Sequence, residues 1–299
     1  MTLGAKRGSL FIIIAALLWS TGGLFIKSVT LDGFGVSLWR STFAALTLYF
    51  FYRRTFRADL AAHQVHWLSP RTIAMAFVYA ALLVLFVLAT KLTTSANAIF
   101  LQYTAPVYVL FFEPIISKTK LHKSDIVSVA ITIAAMALFF IGKFDTTSVL
   151  GNILALVSGV CFAAYALLLK HEGTTEPVRW QSVILGHCLI VISTLILWSF
   201  GKTDPIPSSV TQGTELIYLG IFQIGLAYTL FTKGIHYVRA LDALLLSMIE
   251  PVLNPVWVYF GIGESPTGYA VIGGLIILII SAYRTIKAGQ VTEVIMPVD

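Results

Sequence analysis

Charge is scarce in this chain. Asp, Glu, Lys and Arg make up only 11% of its 299 residues, against roughly 25% in an ordinary soluble domain. A water-soluble globule of this size could not cover its surface with so few. A soluble enzyme, a nucleic-acid binder and a disordered scaffold are excluded as first readings. Cysteine is almost missing: Cys161 and Cys188 both lie inside apolar runs, so they give neither a disulfide framework nor a zinc-ligand spacing. No His-Glu-x-x-His, Gly-rich phosphate loop or nucleophile elbow occurs, so no catalytic group, metal or cofactor is expected. The formal charge of +6 comes without a basic patch interleaved with aromatics, and nucleic acid is not an expected partner.

What the chain does have is apolar length, with 58% hydrophobic residues. A helix crosses the bilayer core with about 20 apolar residues. Ten stretches approach this: Ser9–Ile26, Gly35–Tyr52, Thr72–Thr90, Ala96–Ile116, Ile126–Ile141, Val149–Leu169, Trp180–Phe200, Glu215–Gly234, Ala240–Ile262 and Tyr269–Tyr283. The first follows Lys6 and Arg7 as a signal peptide would. It is read as a retained span, because it lacks a small-residue cleavage site and more spans follow. No residues are spare for a nucleotide-binding domain, so the expected driving force is a gradient.

Alternate loops carry the cations. Lys6, Arg7, Arg53, Arg54, Arg57, Arg71, Lys118, Lys120, Lys123, Lys170, Arg179, Lys233, Arg239, Arg284 and Lys287 fall on one side; Lys27, Lys91, Lys143 and Lys202 fall on the other. The positive-inside rule then makes both termini cytoplasmic in a multi-pass protein of the cytoplasmic membrane. The basic loops face anionic headgroups, which accounts for the charge.

The chain also echoes itself. Asn97-Ala98 through Ala105-Pro106 falls on Asp242-Ala243 through Glu250-Pro251 at a shift of 145, and Trp39-Arg40-Ser41 matches Trp180-Gln181-Ser182 at a shift of 141. This suggests two five-helix repeats, 1–145 and 146–288, with a cytoplasmic tail at 289–299. An odd number of spans per repeat forces the second copy into the membrane the other way up. That is the inverted arrangement of many secondary transporters, with the substrate site at mid-depth between the halves. The expected fold is an all-α membrane protein of ten transmembrane helices in two inverted repeats.

The pattern Leu18-Trp19-Ser20-Thr21 with Lys27, and Glu250-Pro251 followed by Gly263-Glu264 and Gly273-Gly274, resembles the EamA family of the drug/metabolite transporter superfamily. The first half departs from it, with Lys118-Thr119 where the second has Gly263-Glu264. The resemblance implies a ten-helix carrier of small metabolites, often an exporter and often of amino acids.

Ionisable groups at mid-membrane cost about 2.5–3.5 kcal/mol each on insertion scales, so they point to function. Glu250, with Ser247 and Asn254 on the same helical face, reads as a protonatable carboxylate or a counter-ion for a substrate ammonium; a structural Glu bonded to a neighbouring helix is the alternative. Pro106 and Pro114 in the fourth span, and Pro251 and Pro255 in the ninth, each remove a backbone hydrogen bond. Breaks at matching places in two halves suggest a binding site, while bends made for packing are the rival reading. Gln102 and Tyr103 read as site lining. Trp19, too deep for an interfacial aromatic, joins Gln223 and Tyr228 in an amphipathic pocket. His187 is either a proton relay or a satisfied packing group. Glu113 reads as a solvated gate or a partner of Lys118. Arg40 reads as snorkelling to headgroups, with a carboxylate-holding role as the other possibility.

The expected function is secondary transport of a small polar or amphipathic metabolite, an amino acid or relative, outward by alternating access, with a small-molecule substrate, the bilayer and protons as partners. A membrane-embedded enzyme on a lipid or prenyl substrate and a non-transporting interaction protein remain as rivals. The oligomeric state stays open.

Overall fold

The computed structural model describes residues 3–61, 66–116, 120–138, 141, 148–262 and 267–293. Among these the regular structure is all helical: α1 (Leu3–Trp19), α2 (Gly22–Ser28), α3 (Gly33–Ala61), α4 (Pro70–Leu92), α5 (Ser95–Gln102), α6 (Ala105–Ile116), α7 (Lys123–Leu138), α8 (Val149–Lys170), α9 (Glu176–Ser199), α10 (Val210–Tyr218), a π-helical segment (Leu219–Leu226), α11 (Ala227–Gly234), a 3₁₀ turn (Ile235–Tyr237), α12 (Ala240–Ser247), α13 (Ile249–Ile262) and α14 (Gly268–Glu293). Starts are marked by side-chain caps. Ser69 accepts from Thr72 N ahead of Pro70, and Thr94 accepts from Asn97 N, each satisfying a backbone donor that the first turn leaves open.

Seven helical stretches among the described residues are long and apolar enough to cross a membrane: Gly4–Ser28, Pro70–Leu92, Ser95–Ile116, Val149–Lys170, Glu176–Ser199, Val210–Tyr237 and Gly268–Ile286. The other three expected spans are helical where described but fall short for identifiable reasons. Gly35–Tyr52 lies in α3, where Arg40 and several hydroxyl residues dilute the apolar run. Of Ile126–Ile141, residues 126–138 belong to α7, and 139 and 140 lie outside the described residues. Ala240–Ile262 is divided at Met248 into α12 and α13. The bundle's outer surface carries exposed Phe50, Phe77, Phe111, Ile115, Ile196 and Ile279, an apolar coat suited to acyl chains rather than water.

Inside, α4 packs on α8 and α9, α3 on α9 and the π segment, α1 on α11, and α7 on α14. The crossing of α1 and α11 is tight because both contact residues are glycine: a Cβ on Gly8 would stand 2.8 Å from Gly234 O, and one on Gly234 2.7 Å from Gly8 O. Small residues let helix backbones approach this closely in lipid.

Candidate substrate site

Three helical stretches are interrupted, and the breaks surround one place. Pro106 lacks the N–H that would bond Gln102 O, so α5 ends at Gln102 and α6 begins at Ala105. Pro251 does the same to Ser247 O, and α12 gives way to α13. Such carbonyls need donors from elsewhere. Ser247 O receives the Tyr103 hydroxyl at 2.8 Å. Gln102 O is approached instead by α8, where a Cβ on Gly159 would stand 2.7 Å away. The Ser20–Thr21 interruption between α1 and α2 repeats the pattern, with Asn254 Nδ2 donating to Ser20 O at 3.5 Å and Gln223 Nε2 to Trp19 O at 3.4 Å.

Between the breaks lies a cavity of about 20 Å³, lined by Trp19, Arg40, Gln102, Gln223, Tyr228 and Glu250 among others. It holds about one water's worth of space. Glu250 is buried, and its Oε2 lies 2.8 Å from the Tyr103 hydroxyl. Gln102 Nε2 donates to Ser158 Oγ at 2.8 Å, and Ser158 in turn donates to Leu82 O at 3.0 Å, so the Gln102 amide is fixed to α8 and α4. Gln223 belongs to the π segment, and irregular turns of this kind recur at functional sites.

The sequence expectations divide here. Trp19, Gln102, Gln223, Tyr228 and Glu250 line the cavity, and Tyr103 reaches it through Glu250. Asn254 instead turns to Ser20, where it pins α13 to the interruption in the first span, beside Trp257 Nε1, which donates to Ser20 Oγ at 2.7 Å. His187 is buried, with Nε2 3.1 Å from the Tyr79 hydroxyl. It therefore sits behind the cavity, since Tyr79 packs edge-on against Tyr228. Pro106 and Pro251 sit at the helix breaks; of Pro255 only the helical backbone is described, and Lys118-Thr119 and Gly263-Glu264 lie outside the described residues.

Two expectations are corrected. Arg40 does not snorkel: it is only 3% exposed and lines the cavity, because the face of α3 that carries it packs on the π segment. Glu113 is not solvated either. Only 2% exposed, it accepts from Arg239 Nη2 at 3.0 Å and from Ala240 N at 2.9 Å. The network to which it belongs joins residues too far apart along the chain for helical spacing to reveal. Arg239 also meets Asp125 at 3.1 Å, and Arg284 meets Asp125 at 2.6 Å and Asp242 at 2.5 Å. These charges tie α6 and α7 to α12 and α14. Burial disfavours the Arg239 cation, but Glu113, Asp242 and Asp125 outweigh it and raise its pKa above the ordinary arginine value.

On the side of the cavity toward the Gly8–Gly234 crossing, Trp19 packs against Tyr228 at 4.8 Å, Phe231 at 5.1 Å and Phe162 at 6.0 Å between ring centroids. Beyond this plug opens a vestibule of about 560 Å³ lined by Phe11, Glu172, Arg179, Lys233 and His236 among others. Positions one to two turns apart on the same helices, Tyr228 against Thr232 and Trp19 against Phe11, line the two spaces in succession.

A small chamber with charged and amide side chains on its wall at interrupted helices, inside an apolar-coated bundle, suits a membrane transporter. The model of the EamA-like transporter family matches residues 6–141 and again 149–283, and the chain belongs to that family. It is 29% identical over 284 residues to the uncharacterized transporter YwfM of Bacillus subtilis, covering 92% of this chain and 93% of that one. It is 24% identical to an uncharacterized transporter of Archaeoglobus fulgidus, covering 91% and 94%, and 22% identical to human solute carrier family 35 member G1, covering 91% and 76%. A solved crystal structure aligns with a TM-score of 0.72 at 20% identity, over 94% of this chain and 98% of the other, a likeness of fold.

Proposed function

We propose that the chain is a secondary transporter that exports an amino acid or a related small polar metabolite by alternating access, with Glu250 as the group that exchanges a proton for the substrate ammonium. The observation that carries this is Glu250 itself, a buried carboxyl that lines the chamber beside the break between α12 and α13. The Tyr103 hydroxyl stands 2.8 Å from both Glu250 Oε2 and Ser247 O, yet has a single proton to give. With Tyr103 turned to Ser247, the contact to Glu250 is complete only if the carboxyl carries its own proton. When it is ionised and the chamber widens, the carboxylate is free to pair with a cationic substrate group. Proton and ammonium thus compete for one site, which is the requirement for antiport.

Ten spans in two inverted halves, 1–145 and 146–288, fit this reading. The family matches the chain twice, and the packing of α4 on α8 has its counterpart in α11 on α1. By the positive-inside rule the arginine-rich end, where both termini lie, faces the cytoplasm, so the vestibule is the entry for an exported solute.

The test is counterflow of labelled amino acids, sugars, organic cations and nucleobases in proteoliposomes. An amino acid is expected to exchange, and Glu250→Gln is expected to weaken exchange and to leave what remains unresponsive to an imposed pH gradient. Unchanged pH response in that variant removes Glu250 from coupling, and no counterflow across the panel removes transport itself.

A further inference from the structure

Arg40 is a buried cation that the fold leaves short of partners. Its guanidinium makes one hydrogen bond among the described residues, from Nη2 to the uncharged Gln223 Oε1 at 2.6 Å, and its Nε has none. Glu250 lines the same chamber and its charge acts on the guanidinium through space, but no ion pair or hydrogen bond joins the two. A buried charge without a bonded counter-ion is costly, so the open N–H groups call for an acceptor. Trp19 repeats the deficit. Its indole is 4% exposed, lines the chamber, and leaves Nε1 without an acceptor. Each unmet buried donor carries a cost of about 1–3 kcal/mol.

The two donors are held together. Gln223 accepts from Arg40 through Oε1 and donates to Trp19 O through Nε2, so one amide on the π segment ties α3 to the end of α1. The chamber therefore presents a guanidinium with an open N–H and an indole N–H, both lacking an acceptor, and elsewhere on its wall a carboxyl. A ligand that satisfies this wall brings an anionic group with two acceptor oxygens and, on a short spacer, a cation.

Resting on the transport reading, we infer that Arg40 and Trp19 are the subsite that binds the substrate's carboxylate, with Glu250 taking its ammonium, so that the chain selects small zwitterions. A carboxylate accepts two N–H donors at once, and the charge-assisted bond to Arg is among the stronger ones available in a protein interior. Gln223 is then the positioning residue for the guanidinium and for the backbone that carries Trp19. Trp19 is also part of the aromatic plug, so engagement of its N–H couples occupancy of the chamber to the barrier between chamber and vestibule.

The experiment compares three forms of each amino acid in the exchange assay: the free amino acid, its amide, which keeps the ammonium and loses the carboxylate, and the matching 2-hydroxy acid, which does the reverse. In the wild-type protein the amide is expected to compete about 10- to 100-fold more weakly than the acid, the range of one or two charge-assisted hydrogen bonds. Arg40→Gln is expected to weaken the free acid by that factor and leave the amide unchanged. Trp19→Phe keeps an aromatic side chain but removes the indole N–H together with part of the ring that packs on Tyr228 and Phe231. Lost packing weakens acid and amide alike, so the N–H is read from the further loss confined to the free acid, expected to be roughly tenfold. A wild-type protein that takes amide and acid equally, or variants that weaken both equally, overturns the subsite while transport stands. If Arg40→Gln does not fold, Trp19→Phe and the wild-type discrimination decide. If no compound exchanges, the transport reading fails separately. Thermal shift of the purified protein by the same three forms then decides the subsite: a carboxylate-dependent shift that Trp19→Phe reduces upholds it, and none overturns it.

Discussion

Replacing Arg284 by methionine is expected to lower the unfolding free energy by about 3–5 kcal/mol, the cost of breaking a buried ion pair and leaving its partner charged. Arg284 is 3% exposed and bonds Asp125 through Nη1 and Asp242 through Nε and Nη2. Methionine fills similar space but leaves Asp242 with no bonded cation and Asp125 with Arg239 alone. Thermal scans read by gel filtration in detergent check this. The double variant Arg284→Met/Asp242→Asn is expected to recover much of the loss, because the orphaned charge goes with its partner. A single variant as stable as wild type would show that the network contributes nothing to the fold. The same network carries a pH dependence. Burial works against the Asp125 carboxylate, but Arg284 and Arg239 prevail and hold its pKa below the usual aspartate range. Its contribution is present above the ordinary aspartate value and is lost as pH falls through the depressed one.

Gly159→Leu is expected to abolish transport and to destabilise the protein by at least about 1–3 kcal/mol, the usual range for overpacking. The obstacle is backbone: a Cβ there stands 2.7 Å from Gln102 O and 3.1 Å from Leu101 O, and neither can rotate aside. α8 must withdraw from α5, which parts Gln102 from Ser158 and moves one wall of the chamber. Gly213→Leu is the control, since nothing lies within 4 Å of a Cβ at that position. Measured side by side, the control should retain wild-type stability and exchange. Equal loss in both variants would locate the effect outside the α5–α8 contact.

How much of this was readable without coordinates depended on range along the chain. Glu250 and the prolines were legible because an intramembrane charge and a missing N–H are local facts with fixed costs. Arg40 was misread because depth along a helix says nothing of azimuth: about two turns into α3, it is equally compatible with a headgroup and with the chamber, and only packing on the π segment decides. The π turn has no sequence signature of its own. Glu113 found its partner 126 positions away at Arg239, and Asn254 was drawn to Ser20 across 234. Helical periodicity, which reads a few turns at a time, could see neither pairing.

The single proton of the Tyr103 hydroxyl has a mechanical meaning. When Glu250 is neutral, that proton is free to brace the open carbonyl of Ser247, and the joint between α12 and α13 is stiff. When Glu250 ionises, the carboxylate draws the hydroxyl to itself, Ser247 loses its brace, and the joint slackens. On the proposed coupling role of Glu250, titration of that side chain would set the compliance of the backbone beside it, so the proton step and the α12–α13 break would share one oxygen atom and need no relay between them.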